Sequence, residues 1–191
     1  PARTSEVAKV PGKADCGARG HGRRTAVGGA VLALVAIAWI WMAGRGRVTG
    51  PPPILGRLPE CQLLAPGSGS VSARDWRGGK IAVITPWLEE CPDCMGRMPD
   101  LADLSRDLAR DPALAFCSVA YQGNRRTTRR FVDRMGIQGT VLFDTQGALM
   151  YGAGISTLTT LVVDRAGRIR YRGAPDRVAV RRVIEALRTE P

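Results

Sequence analysis

Residues 81–98 read Ile81-Ala82-Val83-Ile84-Thr85-Pro86-Trp87-Leu88-Glu89-Glu90-Cys91-Pro92-Asp93-Cys94-Met95-Gly96-Arg97-Met98. The run Ile81–Ile84 is short, apolar and largely β-branched, which predicts a buried strand. After Cys94, the positions Met98, Leu101, Leu104 and Leu108 recur at helical spacing, with a kink expected at Pro99. Two cysteines two residues apart therefore stand between a strand and a helix. Unpaired backbone N–H groups at a helix start stabilise a thiolate. Pro92 fits an early helical position, where no donor is needed. This predicts Cys91 as the exposed nucleophile and Cys94 as the thiol that resolves a mixed disulfide. Half of a zinc site and a plain structural disulfide are the other readings of the spacing. The chain has no second CxxC, and its one histidine, His21, lies in the first basic stretch, so no metal is expected.

The elements around this stretch alternate. Leu114–Tyr121, Thr140–Phe143, Leu161–Val163 and Arg168–Tyr171 read as strands, the last two joined as a hairpin through Asp164–Gly167. Thr127–Met135 reads as a helix ended by Gly136. Arg177–Leu187 reads as a closing helix with Val178, Val180 or Arg181, Ile184 and Leu187 on one side. The order β-α-β-α-β-β-α predicts an α/β fold, a mixed sheet with helices on both faces. Cys61–Leu64 and Gly69–Ser72 could add a hairpin before it.

The rest of the 191 residues divide by charge. Residues 1–25 form a basic N-terminal segment, with six basic and two acidic side chains. Residues 26–44 carry no charge and would span about 28 Å as a helix, close to the ~30 Å hydrocarbon core of a bilayer. Trp39 and Trp41 near one end suit the headgroup boundary, and Trp41 fits poorly before a signal-peptide cut ending at Ala43. An uncleaved transmembrane anchor is therefore expected, with the N-terminus inside and the C-terminal domain outside, on the periplasmic side. Residues 45–58 read as a Gly/Pro-rich linker and 59–191 as the folded domain. Residues 54–191 contribute only +5 of the net charge of +11, and no aromatic-rich basic motif accompanies it, so no nucleic-acid partner is expected. The lone N-terminal histidine also excludes His-based triads and general acids from the domain.

From about Pro59 onward the chain resembles membrane-anchored, thioredoxin-like thiol–disulfide oxidoreductases of the TlpA-like branch, in the AhpC/TSA–redoxin superfamily. The resemblance rests on Asp75-Trp76-Arg77-Gly78-Gly79-Lys80, Pro86–Cys94 with Met98-Pro99, Phe143-Asp144, Tyr151-Gly152, and Thr159–Asp164 with Gly167. It implies a thioredoxin fold and a redox-active disulfide between catalytic Cys91 and Cys94, with no cofactor. The implied partners are cysteine-containing exported proteins and an upstream electron donor.

Four positions depart from the family pattern. Relatives place a cis-proline, facing the CxxC, where this chain has Leu158 between Thr157 and Thr159. A cis bond before leucine costs about 2.5–4 kcal/mol, so a trans Thr157–Leu158 bond and a more apolar wall beside the cysteines are expected. Relatives often carry tryptophan at the position of Glu90, glutamate at that of Arg97, and a buried acid at that of Thr85. Glu89, Glu90 and Asp93 are the carboxylates left near the pair. Their charge opposes a thiolate on Cys91, while Arg97 favours it. Cys117 reads as a small buried hydrophobe, and Cys61 as bland or as a regulatory thiol. Two rival functions follow. A peroxiredoxin-like thiol peroxidase would need Pro and Thr where Ile84 and Leu88 stand. A non-catalytic thioredoxin-like binding or metal-chaperone module would accommodate Leu158 and the missing acids.

Overall fold

The computed structural model describes residue 35 and residues 51–67 and 69–190. The chain separates into two units, 1–49 and 50–191, and the second is the folded domain treated below. The expected anchor at 26–44 and the basic segment at 1–25 lie outside the described residues, apart from Val35. Among the described residues, no helix is long and apolar enough to cross a membrane.

In chain order the strands are β1 (Gly56–Arg57), β2 (Gln62–Leu64), β3 (Ser70–Ser72), β4 (Ile81–Leu88), β5 (Leu114–Tyr121), β6 (Thr140–Asp144), β7 (Thr160–Val163) and β8 (Arg168–Gly173). The helices are α1 (Ala73–Arg77), α2 (Pro92–Gly96), α3 (Met98–Leu108), α4 (Arg125–Met135), α5 (Ala148–Gly152) and α6 (Arg177–Thr189). One sheet runs β1-β8-β7-β4-β5-β6-β2-β3. β4, β5 and β6 are parallel, and the flanking pairs are antiparallel. This is the α/β, thioredoxin-like mixed sheet with helices on both faces.

β4 holds the centre because Ile81 through Trp87 are all buried, which only a strand covered on both faces permits. It runs four residues past Ile84, through Pro86, in register with β5. Pro86 has no N–H to offer a neighbour, but β7 pairs with β4 only through Ala82–Ile84, and Pro86 O accepts Thr159 N–H at 3.2 Å. Side chains alternate across the sheet. Val83, Trp87, Phe116, Val141 and Phe143 form one core with α3, α4 and α6, while Ala82, Ile84, Cys117, Val119 and Leu142 form another with Leu63, Leu149 and Met150.

Several boundaries differ from expectation. The kink at Pro99 is a break into two helices at Arg97 (φ −106°, ψ 3°), because Pro99 cannot continue the ladder and instead opens α3. α4 starts at Arg125, two residues early, because Asn124 Oδ1 accepts Arg126 N–H at 3.0 Å. Val178, expected on the packed side of the closing helix, is 68% exposed; the buried stripe is Val180, Ile184 and Leu187. The hairpin before the domain forms as β2–β3, with Cys61 just ahead of it. The stretch expected as linker through residue 58 is bound to the domain from Pro52. Leu55 N–H donates to Ile169 O at 2.8 Å, β1 pairs with β8, and buried Arg170 donates to Pro52 O at 2.6 and 2.9 Å. Arg170 also pairs with Asp164 (3.0 Å) and Glu190 (2.6 Å), tying both ends of the domain to β8.

Candidate active site

The site lies at the carboxyl end of β4. Cys91 is the N-cap of α2, with extended φ/ψ (−97°, 110°), and Pro92 takes the first helical position. Cys91 and Cys94 form a disulfide with Cα atoms 5.1 Å apart. Cys91 Sγ accepts Cys94 N–H at 3.1 Å, so its sulfur takes the capping role that an Asp or Ser oxygen usually fills. That donor is a backbone N–H aimed at the sulfur that carries the negative charge when Cys91 is the attacking thiolate of the reduced pair.

The two sulfurs differ in access. Cys91 is half-buried, whereas Cys94 is fully buried among Trp87, Met98 and Leu158. An external thiolate therefore meets Cys91 first, and Cys94 is the leaving or returning sulfur. The 157–158 loop faces both. Thr157 Oγ1 lies 3.7 Å from each sulfur, and Leu158 N–H donates to Cys94 Sγ at 3.2 Å. Leu158 is 3% exposed and adds the expected apolar wall. Its amide adds what the sequence reading missed: a donor to Cys94 that a proline at this position could not supply. No local pattern announces it, since residues 94 and 158 meet only through the β4–β7 pairing.

The charged neighbours sit outside this contact. Glu90, Asp93 and Arg97 are exposed, and among the described residues none makes an ion pair or side-chain hydrogen bond. Glu89 accepts the Thr128 hydroxyl of α4 at 3.3 Å. Thr85, at the place of the family's buried acid, is fully buried with its hydroxyl 3.3 Å from Thr160. Ser118 pairs in register with Thr85, and its hydroxyl is buried without a partner, as is Trp87 Nε1. The core under the disulfide thus holds hydroxyls and an indole where a titrating carboxylate is absent. Among the described residues no cluster of metal-ligating side chains occurs.

Comparison with known proteins decides the family: the Redoxin family matches residues 56–187. The chain belongs to the Redoxin family. With the Cys91–Cys94 disulfide at the head of the helix after β4, this redoxin is a thiol–disulfide oxidoreductase. No curated protein matches the chain. Among solved structures, the domain resembles a putative thiol:disulfide interchange protein DsbE from Chlorobium tepidum, at 19% identity and a TM-score of 0.57, over 71% of this chain and 99% of that one. It also resembles a secreted Mycobacterium tuberculosis disulfide oxidoreductase homologous to E. coli DsbE, at 18% identity and a TM-score of 0.54, over 67% and 96%. A DsbF homologue from Corynebacterium diphtheriae matches at 19% identity and a TM-score of 0.55, over 75% and 97%. At these identities the likeness is one of fold.

Proposed function

We propose that this redoxin is a TlpA-like, membrane-tethered oxidoreductase working outside the cytoplasm. Residues 26–44 hold it to the membrane, and Cys91–Cys94 exchanges electrons with cysteines of other exported proteins. The observation that carries the reading is the asymmetry of the pair: Cys91 is reachable, while Cys94 is buried and receives the Leu158 amide. In the reducing direction the Cys91 thiolate attacks a partner disulfide and releases one partner thiolate. Cys94 then attacks Cys91 Sγ, forming Cys91–Cys94 and freeing the second partner thiol. An upstream dithiol donor returns the two electrons. The uncharged span, its basic flank and the fold shared with a secreted disulfide oxidoreductase support the location.

Two measurements test this. Cys94→Ser should accumulate mixed disulfides through Cys91 with exported proteins, and Cys91→Ser should accumulate none; the reverse pattern ends the role assignment. A phosphatase reporter active only after export, fused behind residue 60, should be active. An inactive fusion places the domain on the other side.

A further inference from the structure

α4 carries Arg125, Arg126, Arg129 and Arg130 at the spacing of one helical stripe. With Val141 and Phe143 of β6, and Pro66 from the β2–β3 turn, they line a cavity of about 430 Å³. Its floor is apolar, because Val141 and Phe143 belong to the core on that face. Its rim is cationic, and none of the lining residues is acidic. Arg125 is occupied with Gly67 O at 2.5 Å, and among the described residues Arg129 pairs with Asp133 alone, at 3.9 Å. Arg126 and Arg130 have no carboxylate within ion-pair distance among the described residues. By contrast, the larger cavity beside the turn between α1 and β4, about 870 Å³, mixes Arg57, Arg74, Arg77 and Arg165 with Glu60 and Asp75, so carboxylates of its own wall already offset part of its charge.

The groove and the redox site lie on opposite sides of one helix. Thr128 donates to Glu89, two residues before Cys91, and Phe131 packs on Trp87 with ring centroids 5.4 Å apart, both from the side of α4 turned away from the arginine stripe. A partner held in the groove and reaching Cys91 would therefore straddle α4.

We propose that this groove docks an acidic segment of the partner protein, with one apolar side chain over Val141 and Phe143 and carboxylates against Arg126 and Arg130. The partner class rests on the exchange reading above. Charge complementarity selects it: Arg126 and Arg130 beside an apolar floor suit carboxylates flanking a phenylalanine or leucine. A lipid surface is flat and has no single side chain to seat in a cavity of this size.

The full chain, reduced, is presented with three disulfides: oxidised lipoamide, a peptide with glutamates and a phenylalanine beside its disulfide, and the same peptide with lysines. The acidic peptide should react about tenfold faster than the lysine peptide at low ionic strength, and the gap should close with salt. R126E/R130E, on exposed positions of α4, should reverse the preference and leave lipoamide reduction unchanged. Equal rates for both peptides, or a preference that survives the double variant, overturn the proposal. Binding of a cysteine-free acidic peptide decides docking separately from chemistry. Loss of lipoamide reduction with intact peptide binding would sink exchange but uphold docking. If the double variant loses affinity for phosphatidylglycerol vesicles over phosphatidylcholine ones while peptide binding is unchanged, the arginines serve lipid and the proposal fails.

Discussion

Two pairs of cysteines occupy the domain, and the fold treats them in opposite ways. Cys91 and Cys94 sit at the end of a strand, capping a helix, with the Cys94 and Leu158 amides aimed at their sulfurs. Cys61 and Cys117 lie in the core on the other face of the sheet, both free and buried. Burial first, and then the Asp144 carboxylate, pushes the Cys61 thiol up to about 11. Burial, and then Cys61, pushes Cys117 well above the ordinary thiol range. The same side chain is a redox centre where donors converge and an inert hydrophobe where apolar atoms surround it. Converging backbone donors mark the first pair, and burial with a nearby carboxylate marks the second.

The largest effect that would break this contrast is in reactivity. After reduction, the native protein carrying Cys16→Ser should take one equivalent of a limiting alkylating reagent at Cys91 at about pH 7.5, with Cys61 and Cys117 labelled only after denaturation. Mass mapping of the label checks this. Native labelling of Cys61 ahead of Cys91 would show that the second pair is a redox site.

The next effect sharpens the role of the Leu158 amide. Leu158→Pro removes the N–H that reaches Cys94 Sγ, whereas Leu158→Ala keeps it and removes the apolar wall. A hydrogen bond to a charged group contributes about 1.5–3 kcal/mol. Mixed disulfides formed through Cys91 should therefore persist about tenfold longer in the proline variant, on stopped-flow or quenched-gel timing. Similar persistence in the alanine variant alone would assign the effect to packing instead.

A smaller effect separates structure from chemistry in the second pair. Cys117→Ser places a hydroxyl where apolar neighbours offer it no partner and should cost about 1–3 kcal/mol in urea unfolding. Exchange activity should stay unchanged, since Cys117 touches no part of the site. A loss of activity without a loss of stability would contradict the division.

The smallest effect is in the alkaline limb of stability. Cys61 is raised from 9.0 to about 11, so above the unfolded value the unfolded chain binds fewer protons than the native one. The Cys61 contribution is fully present below pH ~9 and is lost as pH rises through about 11. The urea midpoint should therefore fall between these limits, and less steeply in Cys61→Ala. Parallel curves for the two proteins would remove Cys61 from the account.

How much of this was legible depended on distance along the chain. Ile81–Ile84, the CxxC and the Met98–Leu108 stripe fall within one window, so local periodicity and spacing identified strand, cysteine turn and helix. The break at Arg97 was displaced from Pro99 because a proline disrupts the turn before it. The hydrogen bonding of residues 52–58 to β8 was illegible, since a Pro-rich stretch reads as linker until a buried arginine elsewhere finds its carbonyl.

The sequence alone determined the element order, the α/β class and the pair of cysteines at a helix start, because each depends on residues within a few turns of one another. Tertiary structure decided that Leu158 gives Cys94 an amide, that Cys61 joins Cys117 in one apolar cluster, and that α4 holds its arginines over Val141 and Phe143. Those neighbours are far apart in the chain. They meet only when strand register closes the sheet, and register follows from burial across the whole domain, which no single segment encodes.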